Sequence, residues 1–264
     1  MSAGSPPHAS ALELRHELPG GAAVLFTDRS HGSFVLPGNP LDGAPAAEQR
    51  TRALELAGAG VTSLARGRQV HGSLVTRLTS GRPEGGQRSP ARGTGAGDAT
   101  DGRGVGGQAA DGRGADGQAA DGQATSSRGL AVMVVSADCL PVAVAGEGAV
   151  AMLHCGWRGL AAGVLEEGVA AVRELAGPGP LSAVIGPGAG PCCYEVGPEV
   201  HEALGVPRED ANIDLAGIAR TRLLAAGVAD VRTVPTCTIC DERFYSHRRE
   251  GARAGRQAGI AWLT

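Results

Sequence analysis

Apolar residues are spread unevenly along the chain, and the densest run, GLAVMVVSADC (129–139), is almost continuously apolar behind Gly129. That is the pattern of a central strand buried on both faces. PVAVAG and GAVAMLHCG follow directly as two more short strands separated by a Gly-rich turn. AAVLFT (22–27) reads as the first strand, Ala46 to Ala57 as a helix, and QVHGSLVTRL as a segment with a strand around Leu74 and Val75. Leu160, Val164, Leu165, Val169, Val172 and Leu175 recur at helical spacing, so GLAAGVLEEGVAAVRELAG predicts one helix, ended by Gly177 and Pro178. LSAVIG predicts a strand, Asp214 to Ala226 a helix with Asp214 as N-cap, and VRTVPT and GIAWL two late strands. Strands alternate with helices, yet the links between 130 and 153 are of hairpin length. The expectation is an α/β (α+β) fold with mixed rather than purely parallel sheets.

Composition changes the picture at two places. From about Thr79 to Ser127 the chain is built from Gly, Ala, Asp, Gln, Arg and Ser, with near-repeats AADGRG, ADGQA and ADGQA. No apolar period survives there, so burial cannot offset the entropy of ordering it. It reads as a surface insertion at about 79–127, a product of neutral expansion rather than a lid, within a single catalytic domain spanning 21–264. Residues 1–20 are polar and punctuated by Pro and Gly, and read as a loose lead-in. Aromatic residues make up only 3% of the chain, so Ala, Val and Leu must fill the core. A net charge of −3 argues against nucleic acid or an anionic membrane as partner. There is no run of about eighteen apolar residues, and the first twenty-one residues lack the basic and apolar regions of a signal peptide. The expected location is cytoplasmic, where six cysteines act as ligands, nucleophiles or small core residues more often than as disulfides.

Three ligand-type residues lie at edges of buried strands: His71 in QVHG, Cys139 in SADCLPV and His154 in MLHCGWRG. Two imidazoles and a thiolate suit zinc, and three protein ligands leave a fourth position open, as in catalytic sites. The same set also matches a blue-copper centre, and the spacing is not a short ligand motif, so residue types alone do not pair the three. After His154, Gly156 and Gly159 allow close backbone approach, and a helix opening at Trp157 would favour an anion near Arg158. Asp138 precedes the thiolate and either orients a ligand or acts as a base. Cys237-x-x-Cys240 and the Cys192-Cys193 pair would make a second, structural zinc site only if all four converged; packing is the expectation for them. TCTICDERF does not read as the helix opening of a redox CxxC. IGPGAGP lacks the ending of a phosphate-binding P-loop and reads as a tight turn. Trp157 and Tyr194 read as core residues before stacking platforms.

QVHG, ADCLPV, H-x-GWRGLAAG, IGPGAGPCCYEVG and FYSHRREG…GRQAGIAWL, in this order, resemble the YfiH/YlmD family, also called the laccase-domain or DUF152 family. The resemblance runs from about Ala22 to the end of the chain, interrupted by the insertion. It implies a four-layer α/β/β/α sandwich distantly similar to certain toxin cysteine hydrolases. It also implies zinc-dependent phosphorolysis of adenosine, inosine, guanosine and methylthioadenosine, with adenosine deamination. Older descriptions of the family give copper polyphenol oxidases, and some bacterial members are linked to editing of peptidoglycan precursors. The family's metal ligands fall on His71, Cys139 and His154. The chain departs from the family pattern at Cys155, where Ala is usual, at His247, where Tyr is usual, and in the shortened HGSFVLPGNPLDG.

The leading expectation is therefore a zinc purine nucleoside phosphorylase with deaminase activity, acting on purine nucleosides and phosphate as a monomer or homodimer. Arg158, Arg248 and Arg29 would clamp phosphate; Gln69, Gly156 and Trp157 would bind substrate; Cys139, Asp138 and Arg158 would form the catalytic group. A copper phenol oxidase is a second reading, although seven histidines are few for a multicopper site. A third makes Cys139 the nucleophile of an amide hydrolase acting on cell-wall precursors, with His71 or His154 as base. A fourth is a non-enzymatic partner in cell-wall or division complexes, docking through the insertion.

Overall fold

A computed structural model describes residues 14–34, 46–79, 118–208 and 211–264. Most of the expected insertion (80–117) and most of the lead-in (1–13) lie outside the described residues. Eleven strands form two sheets among the described residues. The first sheet has the order β1 (Arg15–Leu18), β2 (Ala22–Phe26), β11 (Gln257–Leu263), β6 (Leu130–Ser136), β3 (Ser63–Ala65). The second runs β10 (Asp230–Thr233), β9 (Ser182–Ile185), β7 (Leu140–Gly146), β8 (Ala149–Cys155), β5 (Gly122–Thr125), β4 (Val75–Leu78). Each mixes the two senses: β3 pairs parallel with β6, and β9–β10 and β4–β5 are parallel, while the remaining pairs are antiparallel.

Alternation along the strands explains the layering. In the first sheet Ala22, Val24, Phe26, Val132, Val134, Ala261 and Leu263 meet Ala143, Ala145, Val150 and Met152 of the second. Their neighbours Ala23, Leu25, Ala131, Met133, Ile260 and Trp262 face α1 (Ala46–Ala57). On the far side of the second sheet, Val142, Val144, Ala151 and Leu153 pack on α3 (Val164–Ala176) and α5 (Leu215–Ala225). The result is the expected α/β/β/α sandwich, with the central strands β6–β9 and β11 buried on both faces. Each fully buried Val, Leu or Phe is worth about 1.5–3 kcal/mol, and glycine is needed where the sheets come closest. A Cβ at Gly186, for example, would sit 2.4 Å from the Phe26 ring.

Three expectations need correction. The lead-in is not loose to residue 20: Arg15–Leu18 forms a hairpin with β2, turning through Gly20 and Gly21 at φ 86° and 72°. Only Leu18 of this RHEL strand is fully buried, which is why no apolar period marks it. Secondly, the insertion ends earlier than expected, because Gly122–Thr125 is an interior strand between β4 and β8. Its sequence GQAT has no apolar pattern, and Gly122 is needed because a Cβ would sit 2.5 Å from Leu153. Thirdly, the single helix expected after His154 is two. A short α2 (Trp157–Ala161) ends before Gly163, whose φ of 89° is left-handed, and α3 begins behind it. That conformation costs a non-Gly residue about 1–2 kcal/mol and breaks the helix. α4 (Pro198–Leu204) and α6 (His247–Glu250) complete the helices. No helix among the described residues is long and apolar enough to cross a membrane.

Candidate metal centre

The second sheet's register assembles the cluster. Pro141 lies opposite His154 and Gly122 opposite Leu153, so the tight β6–β7 turn carrying Cys139, the end of β8 and the segment before β5 converge. The loop after β3 brings in His71, with the isolated pair Arg68–Ala119 tying it to the same place. Donor atoms of His71, Cys139 and His154 all lie within 4.8 Å of one another, and the two rings meet edge-on with centroids 4.9 Å apart. His154 is buried, Cys139 partly so, and His71 exposed. The two non-glycine residues with positive φ among those described are both here, His71 at 60° and Asp138 at 88°. Such conformations persist only where the surroundings over-determine them, and they gather at functional sites.

A fourth residue organises the cluster and was not read from the sequence. Asp121 is fully buried and its Oδ1 lies 3.2 Å from His154 Nδ1. Its carboxylate also accepts from the amides of Val70, His71 (2.8 Å) and Gly72 (2.7 Å), while its own carbonyl accepts from the His154 amide at 2.7 Å. Burial opposes its charge, but the hydrogen bonds from His154 and from the Gly72 and His71 amides outweigh it and lower its pKa. Asp121 stands in the last of three Ala-Asp-Gly repeats, after Asp111 and Asp116, and those repeats camouflage it. Engaging Nδ1 fixes the His154 tautomer and leaves the other ring nitrogen as the ligand atom.

The electrostatics favour a thiolate. Burial opposes ionisation of Cys139, but the positive His154 and hydrogen bonds from both histidines prevail and bring it down to about 6. In return, and against burial, the Cys139 charge and the Asp121 hydrogen bond raise His154 to about 9. Gly156 completes the cradle: a Cβ there would sit 2.8 Å from Cys139 Sγ and 3.3 Å from the His71 ring. Two imidazoles, one thiolate, a carboxylate behind one imidazole and a cleared space fit a borderline-soft divalent metal such as zinc, with one coordination position open.

The other expected site residues are placed as follows. Asp138 is buried beside the cluster, but both its oxygens accept from protein, Oδ1 from Thr238 Oγ1 at 2.7 Å and Oδ2 from the Arg248 amide at 2.8 Å. Arg248 lies over the Tyr194 ring at 4.8 Å and donates to the Glu195 carbonyl. Arg158 is exposed with its guanidinium 4.2 Å over Trp157, whose other contacts are to the helix-side core. It sits on five-residue α2 and not at the mouth of a long helix, so the expected helix-end effect at Trp157 does not arise. Arg29 pairs with Glu250 and covers the Tyr245 ring at 4.5 Å. Gln69 exchanges two hydrogen bonds with the Val135 backbone, 2.7 and 2.9 Å, and thereby pins the His71 loop to β6. Cys155 points into the helix-side core, fully buried, and its thiol is pushed well up by burial. Clefts of about 570 Å³ beside α4 and α5 and about 530 Å³ beside the 186–192 loop lie apart from the cluster and are not lined by its residues.

Fold and site together define the class: a two-sheet α/β/β/α sandwich with a His–Cys–His cluster at the rim of its second sheet. The chain belongs to the multi-copper polyphenol oxidoreductase laccase family, whose model matches residues 42–264. It is 42% identical over 157 residues to a Xylella fastidiosa protein named purine nucleoside phosphorylase, covering 53% of this chain and 59% of that one. Escherichia coli purine nucleoside phosphorylase YfiH is 37% identical over 153 residues, 53% of this chain and 62% of that one. The matches thus span about three fifths of these relatives. Among solved structures, a Neisseria meningitidis DUF152 protein superposes with TM-score 0.70 at 26% identity, over 95% of this chain and 98% of its own. YlmD from Geobacillus stearothermophilus gives 0.68 at 25%, over 93% and 94%.

Proposed function

We propose that the chain is a zinc-dependent purine nucleoside phosphorylase acting on adenosine, inosine, guanosine and methylthioadenosine, with adenosine deaminase activity at the same centre. The observation that carries this reading is the convergence of His71, Cys139 and His154 around a cleared space, with Asp121 behind His154. The names of the relatives supply the substrate class. Bound zinc supplies a Lewis acid for an oxygen nucleophile or phosphoryl oxygen. Asp121 holds the His154 ring, Gln69 holds the His71 loop, and Asp138 fixes the backbone of Arg248. Arg158, exposed four residues beyond His154, and Arg248 on α6, whose amide bonds Asp138, are both assigned to phosphate. Arg29 joins them only if phosphate displaces Glu250, its ion-pair partner. Trp157 and Gly156 then border the nucleoside.

The test uses metal-quantified protein with inosine or adenosine plus phosphate, separating bases from sugar phosphates by chromatography, beside Cys139→Ala. Free purine and ribose 1-phosphate are expected, and both are lost in the variant together with the zinc of the His71–Cys139–His154 cluster. Absence of base release from protein whose His71–Cys139–His154 cluster holds zinc overturns the reading.

One observation favours a second reading. A thiol brought to about 6 beside a cationic imidazole is also an activated nucleophile, suited to amide hydrolysis of cell-wall precursors. That enzyme would work after chelation and be labelled covalently at Cys139. A copper polyphenol oxidase, the sense of the family's description, would copurify with copper and absorb visible light.

A further inference from the structure

Four cysteines outside the cluster described above meet at the same end of the second sheet. β9 and β10 are parallel neighbours, so the loops leaving them run side by side. Their pairing continues past the strands: Gly188 bridges Cys237, and the Thr238 amide donates to the Gly188 carbonyl at 2.9 Å. The first loop then presents Cys192 and Cys193, and the second Cys237 and Cys240. Packing was the expectation for these residues; instead two of the four are exposed and all four sulfurs converge.

We propose that Cys192, Cys193, Cys237 and Cys240 form a second metal site, a closed tetrathiolate site for zinc. Four sulfur contacts measure 3.4 Å (192–193), 3.3 Å (192–240), 3.4 Å (193–237) and 2.9 Å (193–240), and all four sulfurs lie within 4.8 Å of one another. Zinc–sulfur bonds of about 2.3 Å in a tetrahedron set the sulfurs about 3.8 Å apart, wider than these contacts and within the 4.8 Å that bounds the group. Disulfides need about 2.05 Å, and none is formed. Cys237-x-x-Cys240 has the short ligand spacing common in structural zinc sites.

The backbone is shaped around the thiols. The Gly190 amide donates to Cys237 Sγ at 3.1 Å. A Cβ on Gly190 would lie 2.9 Å from Cys237 Cβ and 3.5 Å from Cys192 Sγ, so a larger residue would hold the two loops apart. Binding is plain ligation: each thiol loses its proton to solvent, four sulfur–metal bonds form, and no electron moves.

The consequence reaches the first cluster. Thr238, inside the CxxC turn, donates to the carboxylate of Asp138, the residue before Cys139. Arg249 clamps the same turn through the Thr238 and Ile239 carbonyls, both at 2.8 Å. With four protein ligands the site has no open position, so its role is to staple two loops rather than to react.

This inference does not depend on the nucleoside reading, because its test counts metal. Zinc is measured in native protein purified under reducing conditions, and in Cys139→Ala and Cys237→Ser/Cys240→Ser variants. About two equivalents are expected in the native chain and about one in each variant. Should the double variant not fold, the native protein still decides: cobalt exchanged into it should give an intense sulfur-to-metal band that persists in Cys139→Ala. In Cys139→Ala, thiol titration should also release four further reactive cysteines on strong chelation. A single zinc in the native chain, lost entirely in Cys139→Ala, overturns the proposal, as do disulfides among these four cysteines under reducing purification.

Discussion

Asp121 Oδ1 stands 3.2 Å from His154 Nδ1, on a carboxylate that also receives three amides of the loop carrying His71. One side chain therefore sets both imidazoles of the cluster. Carboxylates in this position typically matter by 10–100-fold in metal affinity. Asp121→Ala should weaken zinc by about that factor in chelator competition, with the protein still folded. Unchanged affinity would show that the His71 loop and the His154 ring hold their places without it.

Gly156→Ala tests the cleared space. The φ at this position is −79°, which alanine adopts freely, so any effect comes from the methyl group 2.8 Å from Cys139 Sγ. Zinc content should fall sharply while far-ultraviolet dichroism stays native. Full zinc occupancy in the variant would remove Gly156 from the cradle.

Phe26 is fully buried between the sheets and lies against Gly186. Phe26→Ala should cost about 3–5 kcal/mol, read as a fall in the urea midpoint at constant slope. A loss under about 1 kcal/mol would mean that the sheets close over the gap.

Asp241 gives a pH dependence with a defined sign. The Arg243 guanidinium bonds its carboxylate and, against partial burial, lowers its pKa below 3.8. A group whose folded pKa is depressed stabilises the native state above its unfolded value, and that stability is lost as pH falls through the folded value. Asp241→Asn should therefore lower stability near neutrality and lose less than the native chain on acidification below pH 4. Parallel denaturation profiles for the two proteins would sink the assignment.

Legibility from sequence followed apolar pattern. The β6–β8 run, α1, α3 and the Asp214 cap were readable because their side chains alternate between two packed layers or recur at helical spacing. The three cluster residues were visible as ligand types, Cys139 and His154 at strand ends and His71 in the loop before β4, and the family resemblance marked them. β1 and β5 were not, since RHEL and GQAT are held by pairing rather than by their own apolar content. Asp121 was hidden because its role arises from the β5–β8 register, and its local sequence is identical to the polar repeats before it. The four-cysteine convergence was equally non-local: it depends on β9 and β10 being parallel neighbours, which neither CC nor CxxC announces.

β11 occupies the middle of the first sheet, flanked by β2 on one side and β6 on the other. It pairs Leu263 with Ala22 and Gln257 with Ser136, so strands made early remain unjoined until the last strand arrives. On a ribosome this sheet stays split, with two apolar edges waiting, until residues 257–263 have emerged. Folding of the sandwich is consequently a late, high-contact-order event, and a stalled chain short of Gln257 presents open edges on which chaperones and aggregates compete.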